Sequence, residues 1–283
     1  MLRILIVLAA AGIVGWLLWR RFGKSVYPMS LTPPNLPAVV TRQVRLWPHL
    51  PEALRDKLVP RVREFVERIP FEGANGFAVT DEMRKMIATQ ACIVTLGWDD
   101  YPFDDLHGIT LHPDEFVVDE SDEDEETGVV TEGYRVISGQ SQGSDRIVLS
   151  WRDVADGQTR DDGYNVVIHE ITHFLEHSHP GGDRATRSAL KAAYESLREA
   201  VSRGEETLLD PYGAEDLTEF LAVSAEFFFE RPVDLRDRHP TLYVLLRESF
   251  KLDPAAWFAP DSDLFRPSAI SLSAGTRRTL KDP

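Results

Sequence analysis

Four of the chain's eight histidines fall in residues 164–180, YNVVIHEITHFLEHSHP, and two of them bracket a glutamate as His169-Glu170-x-x-His173. Residues four apart on a helix project from one face about a turn apart, so both imidazoles can reach one ion. Zn2+ takes histidine nitrogen at about 2.0–2.1 Å. The glutamate directly after the first histidine does not bind in such a pattern; it polarises a water molecule. The plain alternative is a surface helix with chance histidines. Against it, Val167, Ile171, Phe174 and Leu175 form an apolar stripe around the motif. Such a helix is buried, and buried imidazole and carboxylate groups need partners. A metal site is therefore expected.

Two histidines and one glutamate do not complete that site. His179 follows His169 by ten residues, the third-ligand spacing of His-Glu-x-x-His-x-x-Gly-x-x-His. That pattern needs glycine where Glu176 stands, and Glu176 favours continuing the helix, which carries His179 away. His177 reads as an exposed polar residue. The other source is DPYGAEDLTEFLAVSAEFFFERP at 210–232, where Leu217, Phe220, Leu221, Phe227 and Phe228 make an apolar side. Glu219 and Glu226 are seven residues apart and share a face. On a buried helix either carboxylate needs a cation or strong donors. Either could complete a two-histidine, one-glutamate site, leaving the other to orient a histidine.

The elements that must position these residues can be read coarsely. Leu54, Leu58, Val62, Phe65 and Val66 keep helical spacing, with Pro60 expected to bend or divide that helix. Thr80 can cap a second helix whose first turn carries Asp81 and Glu82 and which Gly97 can end. Met83, Ile87, Ala91, Cys92 and Val94 bury it, and Cys92 reads as packing. Strand-like runs follow at 108–112, 116–118, 133–138 and 146–151. After residue 164 the pattern is mainly helical, so the class is α+β with a small sheet before the helices that carry the chemistry. RIVLSW at 146–151 is read as a core strand or as one that pairs with an extended peptide.

Composition bounds the rest. Hydrophobic residues make up 43% and charged residues 27% of 283, enough for a real core. The net charge of -15 argues against nucleic-acid binding. Residues 119–126, DESDEDEE, carry seven of the negative charges and read as a solvated loop. A single cysteine excludes an intrachain disulfide and cysteine-rich zinc modules. Residues 4–19 are uncharged and apolar; as a helix they span roughly 24 Å, against a bilayer core of about 30 Å. Arg20, Arg21 and Lys24 follow, and the apolar run continues past the Ala9-Ala10-Ala11 site that a cleaved signal would use. The expectation is an uncleaved, single-pass anchor in the inner (cytoplasmic) membrane with the catalytic domain on the cytoplasmic side.

The chain also resembles the zinc peptidases related to Mlc titration factor A. The resemblance runs from about Trp47 to Pro254 and rests on TDEMRKMIATQAC, SGQS, IVLSW, VIHEITHFLE, DPY, TEFLAVSAEFFFERP and PTLYVLLRESFKLDP, in that order. It implies a zincin-like domain, gluzincin-like and similar to the anthrax lethal factor catalytic domain. It also implies Zn2+ on His169, His173 and Glu219, with Tyr212 near the metal. The chain departs from the family at Glu176, often aspartate there, and in its acidic run and anchor candidate. The resulting expectation is a zinc metallopeptidase with Glu170 as general base and Tyr212 as oxyanion donor, acting on a peptide or protein substrate. The alternative is a zinc-binding regulatory protein that sequesters a partner. The expected organisation is an anchor at 1–24, a proline-rich linker at 25–46, the peptidase domain at 47–260 and a tail at 261–283.

Overall fold

The computed structural model describes residues 41, 44–123, 130–137, 139–142, 145–179 and 183–258. Its four-stranded sheet has the order β1-β2-β6-β5, formed by β1 (Phe71–Gly73), β2 (Gly108–His112), β6 (Arg146–Ser150) and β5 (Gly139–Gln142). The first three run parallel, and β5 lies antiparallel to β6 on the edge. In β6, Ile147, Val148, Leu149 and Ser150 are all buried, as befits a strand covered on both faces. Both of its edges are paired, so RIVLSW cannot take an extended peptide; that edge belongs to β5.

A separate antiparallel pair, β3 (Phe116–Glu123) with β4 (Val130–Ile137), corrects the reading of the acidic run. Residues 119–123 are strand rather than loop, and 124–129 lie outside the described residues. The backbone of β3 pairs along its whole length with β4, whose sequence VTEGYRVI is rich in strand-forming residues.

Eight α-helices are described. The first, α1 (Glu52–Arg68), runs undivided through Pro60, held by the buried Leu58, Val62 and Phe65. Thr80 caps α2 (Asp81–Val94), its hydroxyl accepting from the Met83 amide at 3.2 Å. That helix stops at Val94, short of Gly97. Gly97 is needed for another reason: a Cβ there would stand 2.1 Å from the Phe250 carbonyl oxygen. A short α3 (Trp151–Gly157) leads to α4 (Val166–Ser178), the histidine helix. The amphipathic α5 (Arg184–Ser202) follows, then α6 (Leu217–Glu230), α7 (Pro232–Arg238) and α8 (Pro240–Phe250). Helix α4 packs between the sheet's β5–β6 side and α6, and α2 also contacts it. Phe174, Phe220, Phe228 and Phe229 are completely buried in that core.

The membrane expectation is corrected. Among the described residues no helix is long and apolar enough to cross a membrane. The longest, α5, carries Arg184, Arg187, Lys191, Glu195, Arg198 and Glu199 along its length, and charged side chains in hydrocarbon are costly. The single-pass inner-membrane placement with a cytoplasmic catalytic domain therefore has no support in the fold. Residues 4–19, on which it rested, lie outside the described residues. Val44 and Leu46, at the end of the proline-rich stretch, are buried in the core.

Candidate metal centre

The histidine helix begins where its sequence can cap it. Asn165 has extended backbone, and its side-chain oxygen accepts from the Val167 and Ile168 amides at 3.1 and 3.2 Å. Val167, Ile168, Ile171 and Phe174 are at most 1% exposed and fix the helix's rotation. That rotation turns His169 and His173 toward α6. There Asp216 caps the helix by accepting from the Thr218 and Glu219 amides at 2.7 and 2.9 Å, which sets Glu219 in the first turn. The stretch 210–232 is thus two elements. A 3-10 turn at Pro211–Ala214, capped by Asp210, precedes α6 and carries Tyr212 separately.

Three atoms converge between the two helices. His169 Nε2 and His173 Nε2 are 3.0 Å apart, and Glu219 Oε2 is 3.0 Å from the first and 3.4 Å from the second. Among the described residues, His169, His173 and Glu219 form the histidine, cysteine or carboxylate group able to hold a metal ion. Donors about 2.05 Å from one ion at tetrahedral angles would stand about 3.3 Å apart, close to the spacings found. Glu219 Oε2 is buried and makes no directed hydrogen bond despite its two imidazole neighbours. Two imidazole nitrogens and one carboxylate oxygen so gathered are the donor types that suit a divalent cation.

Electrostatics point the same way. Burial by itself would lower the His169 pKa, but the Glu219 and Glu226 carboxylates outweigh it and hold it up at about 10. A proton on that ring does part of the work a metal would do. Burial would raise the Glu219 pKa, yet the two imidazoles hold its carboxyl well below the usual range. Glu170 is 4% exposed, and one of its oxygens is buried without a protein partner. Burial pushes its pKa up to about 7, partly opposed by His169 and His173.

Glu226 sits behind the cluster. Its Oε1 lies 2.8 Å from His169 Nδ1, on the far side of the ring from Nε2. Its Oε2 accepts from the Asn165 backbone amide. The carboxylate that could have been a ligand thus orients a histidine. Burial raises its pKa, against the opposing pull of His169. The Tyr212 ring centroid is 6.0 Å from that of His169. His179 closes the C-terminus of α4 with its ring centroid 5.8 Å from that of Trp98, apart from the cluster, and His177 is exposed. Cys92 is completely buried, and its thiol pKa is raised by that burial.

Sequence reasoning missed the polar residues behind Glu226. The Asn165 side-chain amide donates to Glu230 Oε1 at 2.6 Å and to Gln90 Oε1 at 2.9 Å, and Gln158 also donates to Gln90 Oε1 at 2.9 Å. The signal was faint: a glutamine inside the apolar run MIATQACIV, and a glutamate one turn beyond Glu226.

Comparisons with known proteins point to a metallo-peptidase family. The sequence profile of the glucose-regulated metallo-peptidase M90 family matches residues 18–251. An uncharacterized protein of Synechocystis sp. is 32% identical over 256 residues, 84% of this chain and 90% of the relative. A protein named Mlc titration factor A from Serratia proteamaculans is 31% identical over 220 residues, 73% of this chain and 83% of its own length. Another of that name from Pectobacterium atrosepticum is 30% identical over 213 residues, 71% of this chain and 80% of its own. With its histidines and glutamate converging on one point, the chain belongs to the M90 family of glucose-regulated metallo-peptidases.

Proposed function

We propose that the chain is a zinc-dependent peptidase of gluzincin-like, zincin-type architecture, similar to the anthrax lethal factor catalytic domain. His169, His173 and Glu219 are its ligands, and Glu170 is its general base. The observation that carries the reading is the convergence of those three donor atoms with Glu170 one residue from His169 on the same buried helix. A bound Zn2+ would supply Lewis acidity to a water molecule and to the substrate carbonyl. Glu170, with a buried oxygen free of protein donors, takes a proton from the attacking water. As the carbon–nitrogen bond breaks, it passes that proton to the leaving amine. Its pKa near 7 suits both halves of the transfer. Tyr212, on its own capped turn, donates a hydrogen bond to the oxygen that gains charge. The β5 edge, with no second neighbour among the described strands, suits an extended substrate backbone.

A second reading is capture of a regulatory protein with little or no cleavage. One observation favours it: relatives 30% and 31% identical carry the name Mlc titration factor A. One experiment separates the two. Peptide cleavage by the zinc-loaded protein is compared with that of Glu170→Gln, which keeps the ligands. The peptidase reading expects a loss of roughly 100- to 10,000-fold with zinc retained. Equal rates in both proteins would remove Glu170 from catalysis, and equal rates at the protein-free background would leave the capture reading.

A further inference from the structure

Behind the metal centre, buried polar groups run from the histidine helix to the start of the described chain. Asn165 is the junction. Its side-chain oxygen caps α4, its backbone amide holds Glu226, and its side-chain amide holds Glu230. Glu226 in turn holds His169 Nδ1. Glu226 and Glu230 are therefore two carboxylates one turn apart on α6, 3% and 4% exposed, gripping one asparagine. Like charges so placed need a cation nearby.

Arg45 supplies it. Its Nε lies 3.6 Å from Glu230 Oε2, and no other ion pair to Glu230 occurs among the described residues. The guanidinium is fixed by two further contacts: Nη2 meets Asp161 Oδ1 at 2.8 Å, and Nη1 donates to the Arg160 carbonyl. The backbone that presents it is anchored on either side by Val44 and Leu46, 1% and 3% exposed. Arg45 thus ties the segment before α1 both to the loop that leads into α4 and to α6.

We propose that Arg45 and Glu230 are positioning residues for the metal centre: together they hold Asn165, and through Asn165 and Glu226 they set the His169 imidazole for metal binding. Without Arg45, Glu230 is a buried carboxylate with no cation. It then takes a proton or shifts, and the Asn165 amide loses its charged acceptor and keeps only Gln90. Glu226 loses its fixed seat, and the imidazole loses the orientation that aims Nε2 at the ion. The inference rests on the ligand set proposed above.

Zn2+ affinity of the full chain is measured by competition with a chromophoric chelator at about pH 8, where Glu230 is largely ionised. The proteins are wild type, Arg45→Met, Arg45→Lys and the double variant Arg45→Met/Glu230→Gln. Arg45→Met keeps the apolar stem and removes the charge. It is expected to weaken Zn2+ binding roughly tenfold, the low end for groups behind a ligand. Arg45→Lys recovers most of the loss, and the double variant returns to within about threefold of wild type because the uncompensated charge is gone. A folded Arg45→Met with wild-type affinity overturns the proposal, even if its Tm falls, since that is a purely structural role. A double variant no tighter than Arg45→Met overturns it equally. Should Arg45→Met not fold, Glu230→Leu decides, because it removes the charged acceptor of the Asn165 amide and leaves no buried charge: weakened Zn2+ binding by the folded variant supports the proposal, and wild-type affinity overturns it. A wild type that binds no Zn2+ instead overturns the ligand set itself, and the relay with it.

Discussion

Replacing Glu226 by glutamine swaps one oxygen for an NH2 and removes one charge, yet the geometry predicts a large effect. The carboxylate has two oxygens and two donors to serve: the His169 ring at 2.8 Å on one side and the Asn165 backbone amide on the other. Glutamine offers one oxygen and one NH2. If its oxygen stays with the Asn165 amide, the NH2 faces His169 Nδ1, which must then accept rather than donate. The neutral ring's proton moves to Nε2, the atom aimed at His173 and Glu219, and Nε2 can no longer bind a metal. If the amide flips, two N–H groups oppose each other in a site that is 3% exposed. A buried unsatisfied donor costs about 1–3 kcal/mol. Either way the cost falls on the metal-bound state, so Zn2+ affinity should drop roughly 10- to 100-fold. Chelator competition reads the affinity, and far-UV circular dichroism checks the fold. A folded Glu226→Gln that binds Zn2+ within about twofold of wild type would refute the assignment of Glu226 as the group that sets the His169 tautomer.

Further outcomes follow from the same structure. Tyr212→Phe removes only a hydroxyl from a capped turn beside His169; peptide cleavage should fall roughly 100- to 1,000-fold in kcat with little change in zinc content. Phe174 is completely buried against Phe103, with ring centroids 6.1 Å apart, so Phe174→Ala should cost about 3–5 kcal/mol in urea unfolding. Glu230 gives a pH test. Burial pushes its pKa up from 4.5 to about 7, opposed by Asn165 and Arg45, so the folded chain holds this proton more tightly than the unfolded one. The stabilisation is complete below the unfolded value and is lost as pH rises through about 7. Glu230→Gln and wild type, both metal-free, should therefore differ little at about pH 4. At about pH 8 the variant should be the more stable by up to about 3 kcal/mol. An equal difference at both pH values would count against a raised Glu230 pKa.

How much of this was legible in the sequence depended on the range over which each signal acts. The histidine helix was readable because its apolar stripe and paired imidazoles lie within one short stretch. Thr80 and α2 were readable for the same reason. The residues alone left Glu219 and Glu226 interchangeable. Seven residues put both on one face, but only the tertiary approach of α6 to α4 brings Glu219 to Nε2 and Glu226 to Nδ1 of His169. Pro60 does not divide α1, because buried neighbours on that helix outweigh one lost hydrogen bond. The place of RIVLSW was hidden by a strand order that is not sequential, with β6 between β2 and β5. The Arg45–Glu230 contact joins residues far apart in the chain, and no local pattern announces it.

X-ray absorption at the zinc edge of the zinc-loaded full chain tests the central claim most directly. The account predicts a shell of nitrogen and oxygen only, near about 2.0–2.1 Å, with outer scattering from two imidazoles that falls to one in His173→Ala. A shell without imidazole scattering, or one unchanged by His173→Ala and Glu219→Ala alike, would contradict it.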